Sequence, residues 1–126
     1  MANQTNSGSK RILVVDDDPA VIYSIRRILA GKHTVIEASD GEQAVVLAQN
    51  QKPDLILMDT MMPKKDGLTA CAEIRANPKT HAIPIIMLTG VGFELNIKLA
   101  SILGINKYIT KPFKTQDLLD AIGQFS

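Results

Sequence analysis

The chain has 126 residues, 45% hydrophobic and 21% charged, with 14 lysines and arginines against 13 acids, giving a net charge of +1. That length fits one domain with its own core, and the balance excludes a mainly disordered chain, a nucleic-acid binder acting through bulk positive charge, and an acidic tail protein. The single cysteine, Cys71, excludes an internal disulfide and a zinc site with cysteine partners, and the lack of a long apolar run or a signal-peptide core makes the cytoplasm the expected compartment, with no membrane contact.

Residues 1–9 are small and polar, which predicts a disordered leader ahead of a single domain over 10–126. From Arg11 two kinds of segment alternate. A first apolar run at 12–15 predicts a buried strand. Asp18-Pro19 then caps and opens a helix carrying Ile22, Ile25 and Leu29 on one face, and Gly31 stops it. A second run at 34–36 leads to a helix capped by Asp40, with Ala44, Leu47 and Ala48 at helical spacing. A third run at 55–58 precedes a helix opened by Asp66-Gly67, carrying Leu68, Cys71 and Ile74, and ended by Asn77-Pro78. The fourth run, 85–88, precedes a helix over 91–103 with a weak start and a stop at Gly104. The fifth, 108–109, precedes a helix capped by Thr115 and carrying Leu118, Leu119 and Ile122.

Five strand–helix repeats predict an α/β fold, a parallel sheet with helices on both faces and right-handed crossovers. Five strands suit the flavodoxin-like doubly wound order 2-1-3-4-5. A Rossmann domain needs six strands and a glycine fingerprint after the first. Here Asp16-Asp17-Asp18 stands in that place.

Ligands of open parallel sheets bind at the carboxyl ends of the strands. The first strand leads to Asp16 and Asp17, the third to Asp59, the fourth to Thr89-Gly90, and the fifth to Thr110-Lys111-Pro112. In the expected order these four strands are neighbours at about 4.8 Å spacing, so their ends converge. Three carboxylates and one amine give the pocket a local charge of about −2. Crowded carboxylates raise one another's pKa unless a cation intervenes. Hard oxygen ligands that keep some waters suit Mg²⁺, or Mn²⁺.

These residues resemble the receiver domain of bacterial two-component response regulators. The motifs are VVDDDP at 14–19, LMDTMMPKKDG at 57–67, MLTG at 87–90 and YITKPF at 108–113. They stand in order, each at a strand end, and span nearly the whole chain. The spacings are 42 residues from Asp17 to Asp59, 30 from Asp59 to Thr89 and 22 from Thr89 to Lys111. The resemblance implies a phosphoryl-accepting switch rather than an enzyme with a turnover substrate; it catalyses only its own phosphorylation and dephosphorylation. Asp59 takes the phosphoryl group from a phosphohistidine on a sensor histidine kinase or a phosphotransfer protein. Asp17, Asp59 and the Met61 backbone carbonyl hold the metal, with Asp16 on a metal-bound water. Thr89, Gly90 and Lys111 receive the phosphoryl oxygens. Lys111-Pro112 resembles the family's cis peptide. Thr89 and Tyr108 form a switch pair reporting to the surface of the fourth helix, fifth strand and fifth helix. Met61 and Val91 flank the path of the hydrolytic water, and two apolar side chains there imply a long-lived phosphoryl state.

The resemblance also implies partners. The histidine-bearing helices dock near Ala20, Val21 and Ser24 and the loop at Pro63. Output passes to an effector protein or an output domain outside this chain, with no direct nucleic-acid contact. The chain is expected to be a monomer that can dimerise on phosphorylation. Other functions fit less well. A dehalogenase-type hydrolase needs a second aspartate at position 61, which is methionine, and a flavin module needs a Ser/Thr-rich loop where the aspartates stand. A phosphorylation-independent receiver usually lacks a pocket residue, and all five are present.

Overall fold

The computed structural model describes residues 8–90 and 97–125. Within them run β1 Arg11–Val15, α1 Pro19–Leu29, β2 Thr34–Ala38, α2 Gly41–Gln51, β3 Leu55–Asp59, α3 Gly67–Ala76, β4 Ile85–Thr89, α4 Ile97–Leu103, β5 Lys107–Thr110 and α5 Thr115–Gly123. The strands form one parallel sheet in the order β2-β1-β3-β4-β5, as the alternation predicts.

Burial follows from that order. Of the three inner strands, β3 and β4 are buried at every position and β1 at all but its first, whereas the edge strands β2 and β5 are only partly covered. Successive side chains point to opposite faces, so each strand feeds two cores. Ile12, Val14, Leu55, Leu57, Ile86, Leu88 and Ile109 meet α1 and α5 through Ile25, Leu29, Leu118 and Ile122. Leu13, Val15, Ile56, Met58, Ile85 and Met87 meet α2, α3 and α4 through Ala44, Ala48, Ala70, Cys71, Ile74 and Leu103. Cys71 is thus a core residue, and burial pushes its thiol up.

The caps explain where helices start. Asp18 accepts from the Ala20 N–H, Asp40 from Gln43 and Asp66 from Thr69, each meeting an otherwise orphaned donor. Thr115 does not cap α5. It is the first helical residue, and Lys114, with the extended backbone a cap requires, takes the position without a side-chain bond. Gly31 and Gly104 have φ of +78° and +64°, the left-handed geometry of a helix stop.

The strands reach further than their apolar runs. Glu37 and Ala38 stay in register with Val14 and Val15, and Asp59 and Thr89 lie on the last rungs of β3 and β4 rather than after them. Backbone pairing, not side-chain hydrophobicity, sets those ends. The helix expected over 91–103 is described from Ile97 only; residues 91–96, with Val91, and residues 1–7 of the expected leader lie outside the described residues. His33 is half-buried, and its Nδ1 accepts from the Lys10 N–H at 3.0 Å.

Candidate functional site

Alternation places the polar strand ends. Asp16 continues the Ile12–Val14 face, Asp59 the Leu55–Leu57 face and Lys111 the Ile109 face, so all three emerge on the α1/α5 side of the sheet. Ligand oxygens of Asp16, Asp17 and Asp59 lie within 4.8 Å of one another. Asp16 and Asp59 are buried, and Asp17 is exposed. The Lys111–Pro112 peptide is cis. The Lys111 ammonium donates to Asp16 Oδ2 at 3.1 Å and to Asp59 Oδ1 at 3.0 Å.

The electrostatics are those of a crowded, half-neutralised site. Burial pushes the carboxyls of Asp16 and Asp59 above the ordinary 3.8, although hydrogen bonds from Lys111, and for Asp16 from the Asp18 N–H, pull the other way. Burial alone would lower the Lys111 amine. Its bonds to Asp59 and Asp16 and their charges outweigh that, and its value rises above 10.5. One ammonium against three carboxylates leaves the site about two positive charges short.

The remaining predicted residues sort by strand face. Thr89 extends the Ile85–Met87 face, and Tyr108 pairs with Met87, so Thr89 and Tyr108 share the α4 side of the sheet. The Thr89 hydroxyl donates to the Ile109 carbonyl at 3.4 Å, turned toward β5. Tyr108 is 54% exposed. Gly90 has open space where a Cβ would sit, so the mouth is unobstructed there. Met61, 68% exposed, stands on the loop beside the pocket. Next to Lys111 an open groove of about 560 Å³ is lined by Ala20, Val21, Ser24, Ile28, Pro112 and Phe113 among others, including the three α1 residues expected at a docking face.

Two glycines matter here that sequence reasoning did not assign to the site. A Cβ on Gly67 would lie 2.0 Å from the Asp59 carbonyl oxygen, and one on Gly41 would lie 2.2 Å from the Lys65 carbonyl oxygen. For Gly67 the Asp-Gly pair after the loop was the available signal. For Gly41 there was none, because its neighbour is 24 residues away in the chain.

The family model "Response regulator receiver domain" matches residues 12–123. The chain belongs to that family. As a receiver domain it is a phosphorylation-dependent switch of two-component signalling. It is 41% identical over 112 residues to the DNA-binding dual master transcriptional regulator RpaA of Synechocystis, covering 86% of this chain and 46% of that protein. It is 40% identical over 114 residues to the alkaline phosphatase synthesis transcriptional regulatory protein PhoP of Bacillus subtilis, covering 87% of this chain and 45% of that one. The chain therefore spans about half the length of these curated relatives. Among solved structures it is similar to the receiver domain of the sensor histidine kinase PA1611 from Pseudomonas aeruginosa, with a TM-score of 0.84 and 35% identity over 93% of this chain and 97% of that one. That structure has a magnesium ion coordinated in its active-site cleft. No described helix is long and apolar enough to cross a membrane.

Proposed function

We propose that this receiver unit, over residues 10–126, accepts a phosphoryl group on Asp59 from a phosphohistidine, and that Mg²⁺ or Mn²⁺ supports the transfer. The observation that carries the reading is the buried Asp59 carboxylate, joined to Lys111 and clustered with Asp16 and Asp17. The donor set fits a hard divalent cation. All three ligands are carboxylate oxygens, and the local charge is short of positive. Asp17, Asp59 and the Met61 carbonyl would hold it. Both oxygens of Asp16 are already engaged, by the Asp18 N–H and by Lys111, which suits a contact through water. When bound, the cation supplies charge neutralisation for the phosphoryl oxygens.

The chain's own groups do the rest. An Asp59 oxygen attacks phosphorus as the P–N bond of the donor breaks, leaving an acyl phosphate and a free imidazole. Positioning and electrostatics dominate such a transfer. Lys111 turns from the carboxylates to a phosphoryl oxygen. The Thr89 hydroxyl leaves the Ile109 carbonyl and donates to another, with Gly90 keeping the approach open. Tyr108 then moves toward the space on the face it shares with Thr89, altering the α4–β5–α5 surface. Met61 and Val91 hinder the hydrolytic water, and autodephosphorylation is slow. The groove beside Ala20, Val21 and Ser24, with the loop at Pro63, receives the helices of a histidine kinase or phosphotransfer protein. Output goes to a separate effector or to further sequence of the kind that makes the relatives longer.

Incubation with acetyl phosphate and Mg²⁺, followed by intact mass measurement, tests the reading. One phosphoryl adduct is expected in wild type and none in Asp59→Asn. An equal adduct in both would overturn it.

A further inference from the structure

We propose that the N-terminal end of α2, through Gly41, is a positioning element for the loop that carries the Met61 carbonyl. The inference rests on the metal reading above and deepens it. The loop over 60–66 joins Asp59 to the Asp66 cap of α3. It is unusual in its middle. Lys64 has φ of +67°, and the Lys65 N–H donates to the Pro63 carbonyl at 2.7 Å. A three-residue turn closed by an i→i+2 bond, with positive φ at its central non-glycine residue, is strained, and such a loop keeps its shape only if its surroundings hold it.

The holding contacts are backbone contacts. At its two ends the loop bonds the neighbouring strand and helix: the Thr60 N–H donates to Leu88 at 3.1 Å and the Gly67 N–H to the Thr60 carbonyl at 3.0 Å. Between these ends α2 leans on it. The Gly41 N–H donates to the Lys65 carbonyl at 3.1 Å. A Cβ at position 41 would meet the Lys65 oxygen at 2.2 Å, its carbonyl carbon at 2.9 Å and its Cβ at 3.1 Å. Two of those three atoms are main chain, which no rotamer change can move aside. Asp40 adds a polar hold: its carboxylate caps Gln43 at 2.8 Å and lies 3.7 Å from the Lys64 ammonium. The position of α2 therefore sets the position of Lys65, and through a short constrained loop that of Met61. Lys65 itself is tied on the other side to Glu73 of α3 at 2.7 Å, so the loop cannot retreat freely from a larger residue at 41.

Gly41→Ala should push the loop out of register and weaken Mg²⁺ binding roughly 10-fold, the size of effect seen when a residue behind a metal ligand is altered. Isothermal titration with Mg²⁺ reads this. Wild-type affinity in Gly41→Ala, with only a lower melting temperature, would reduce Gly41 to a packing residue and overturn the proposal. Should the variant fail to fold, coupling is read in wild type, since linkage is reciprocal. Saturating Mg²⁺ should slow hydrogen exchange of the Gly41 amide along with the loop, and unchanged exchange would overturn the proposal. A wild type that binds no Mg²⁺ would instead remove the metal reading, and this inference with it.

Discussion

At the scale of single residues the pocket is held away from its own optimum. The raised carboxyls of Asp16 and Asp59 bind protons more readily folded than unfolded. Their favourable contribution is fully present below 3.8 and is lost as pH rises through the raised folded values, leaving a penalty at neutral pH. Without Mg²⁺, Asp59→Asn should therefore melt higher than wild type at pH 7, and the gap should close on acidification; a gap independent of pH would contradict this. Lys111 has the same sign at higher pH: its raised value contributes stability below 10.5 that is lost as pH rises through its folded value, so at pH 7 its contribution is favourable. Asp17→Asn should also raise the melting temperature of the metal-free protein, by about 2–5 °C. Millimolar Mg²⁺ should stabilise wild type by mass action, and Asp17→Asn should lose that gain.

His33 gives a separate acid response. Burial, then Lys10 and Lys32, lower its value below 6.5. Its contribution is thus present above 6.5 and lost as pH falls through the folded value. Protonation also removes the acceptor used by the Lys10 N–H. Melting curves of His33→Gln should lose part of the wild-type fall below neutrality. Identical pH profiles would count against this account of His33.

At the scale of elements, the end of the sheet opposite the pocket is stitched by one side chain. From the last turn of α3, Arg75 donates to the carbonyls of Leu103, His81, Ile83 and Gly104 at 2.7–3.0 Å. The Leu103 carbonyl also receives the Cys71 thiol at 3.6 Å. Arg75 thereby joins the α3–β4 connection to the C-terminal end of α4. Arg75→Met should cost about 2 kcal/mol by stripping these acceptors of partners, a fall of roughly 6–10 °C in melting temperature. Arg75→Lys should recover little, since an ammonium cannot reproduce the guanidinium fork.

Such contacts mark the limit of what the sequence makes legible. The alternation of apolar runs and helical faces carried the whole topology, because burial on each face of a parallel sheet writes directly into residue type. The clustering of Asp16, Asp17, Asp59 and Lys111 was legible because each stands at the end of a strand whose neighbours are fixed by that topology. Arg75 reads as an ordinary basic residue near a helix end, and Gly41 as an ordinary first-turn glycine. Their partners are carbonyl oxygens, which every residue carries, so side-chain identity holds no trace of the pairing. Thr115 misled for a related reason: a hydroxyl near a helix start caps only when its own backbone is extended.

At the scale of the whole molecule the two sheet faces have separate tasks. The α1/α5 side gathers the carboxylates and Lys111, while Thr89 and Tyr108 face the α4 side. Phosphoryl chemistry on one face must therefore be read on the other through the ends of β4 and β5, which the 2.6 Å bond from the Lys111 N–H to the Thr89 carbonyl ties together. A two-state element biased by local charge is the general form of such a switch. The central claim is that occupancy at Asp59 moves this second face. Backbone amide NMR on the Mg²⁺ protein, with and without beryllofluoride, tests it most directly. The expected result is large shifts at Thr89, Tyr108 and residues of α4, absent in Asp59→Asn. Shifts confined to Asp16, Asp17 and the 60–66 loop, or shifts of equal size in Asp59→Asn, would contradict it.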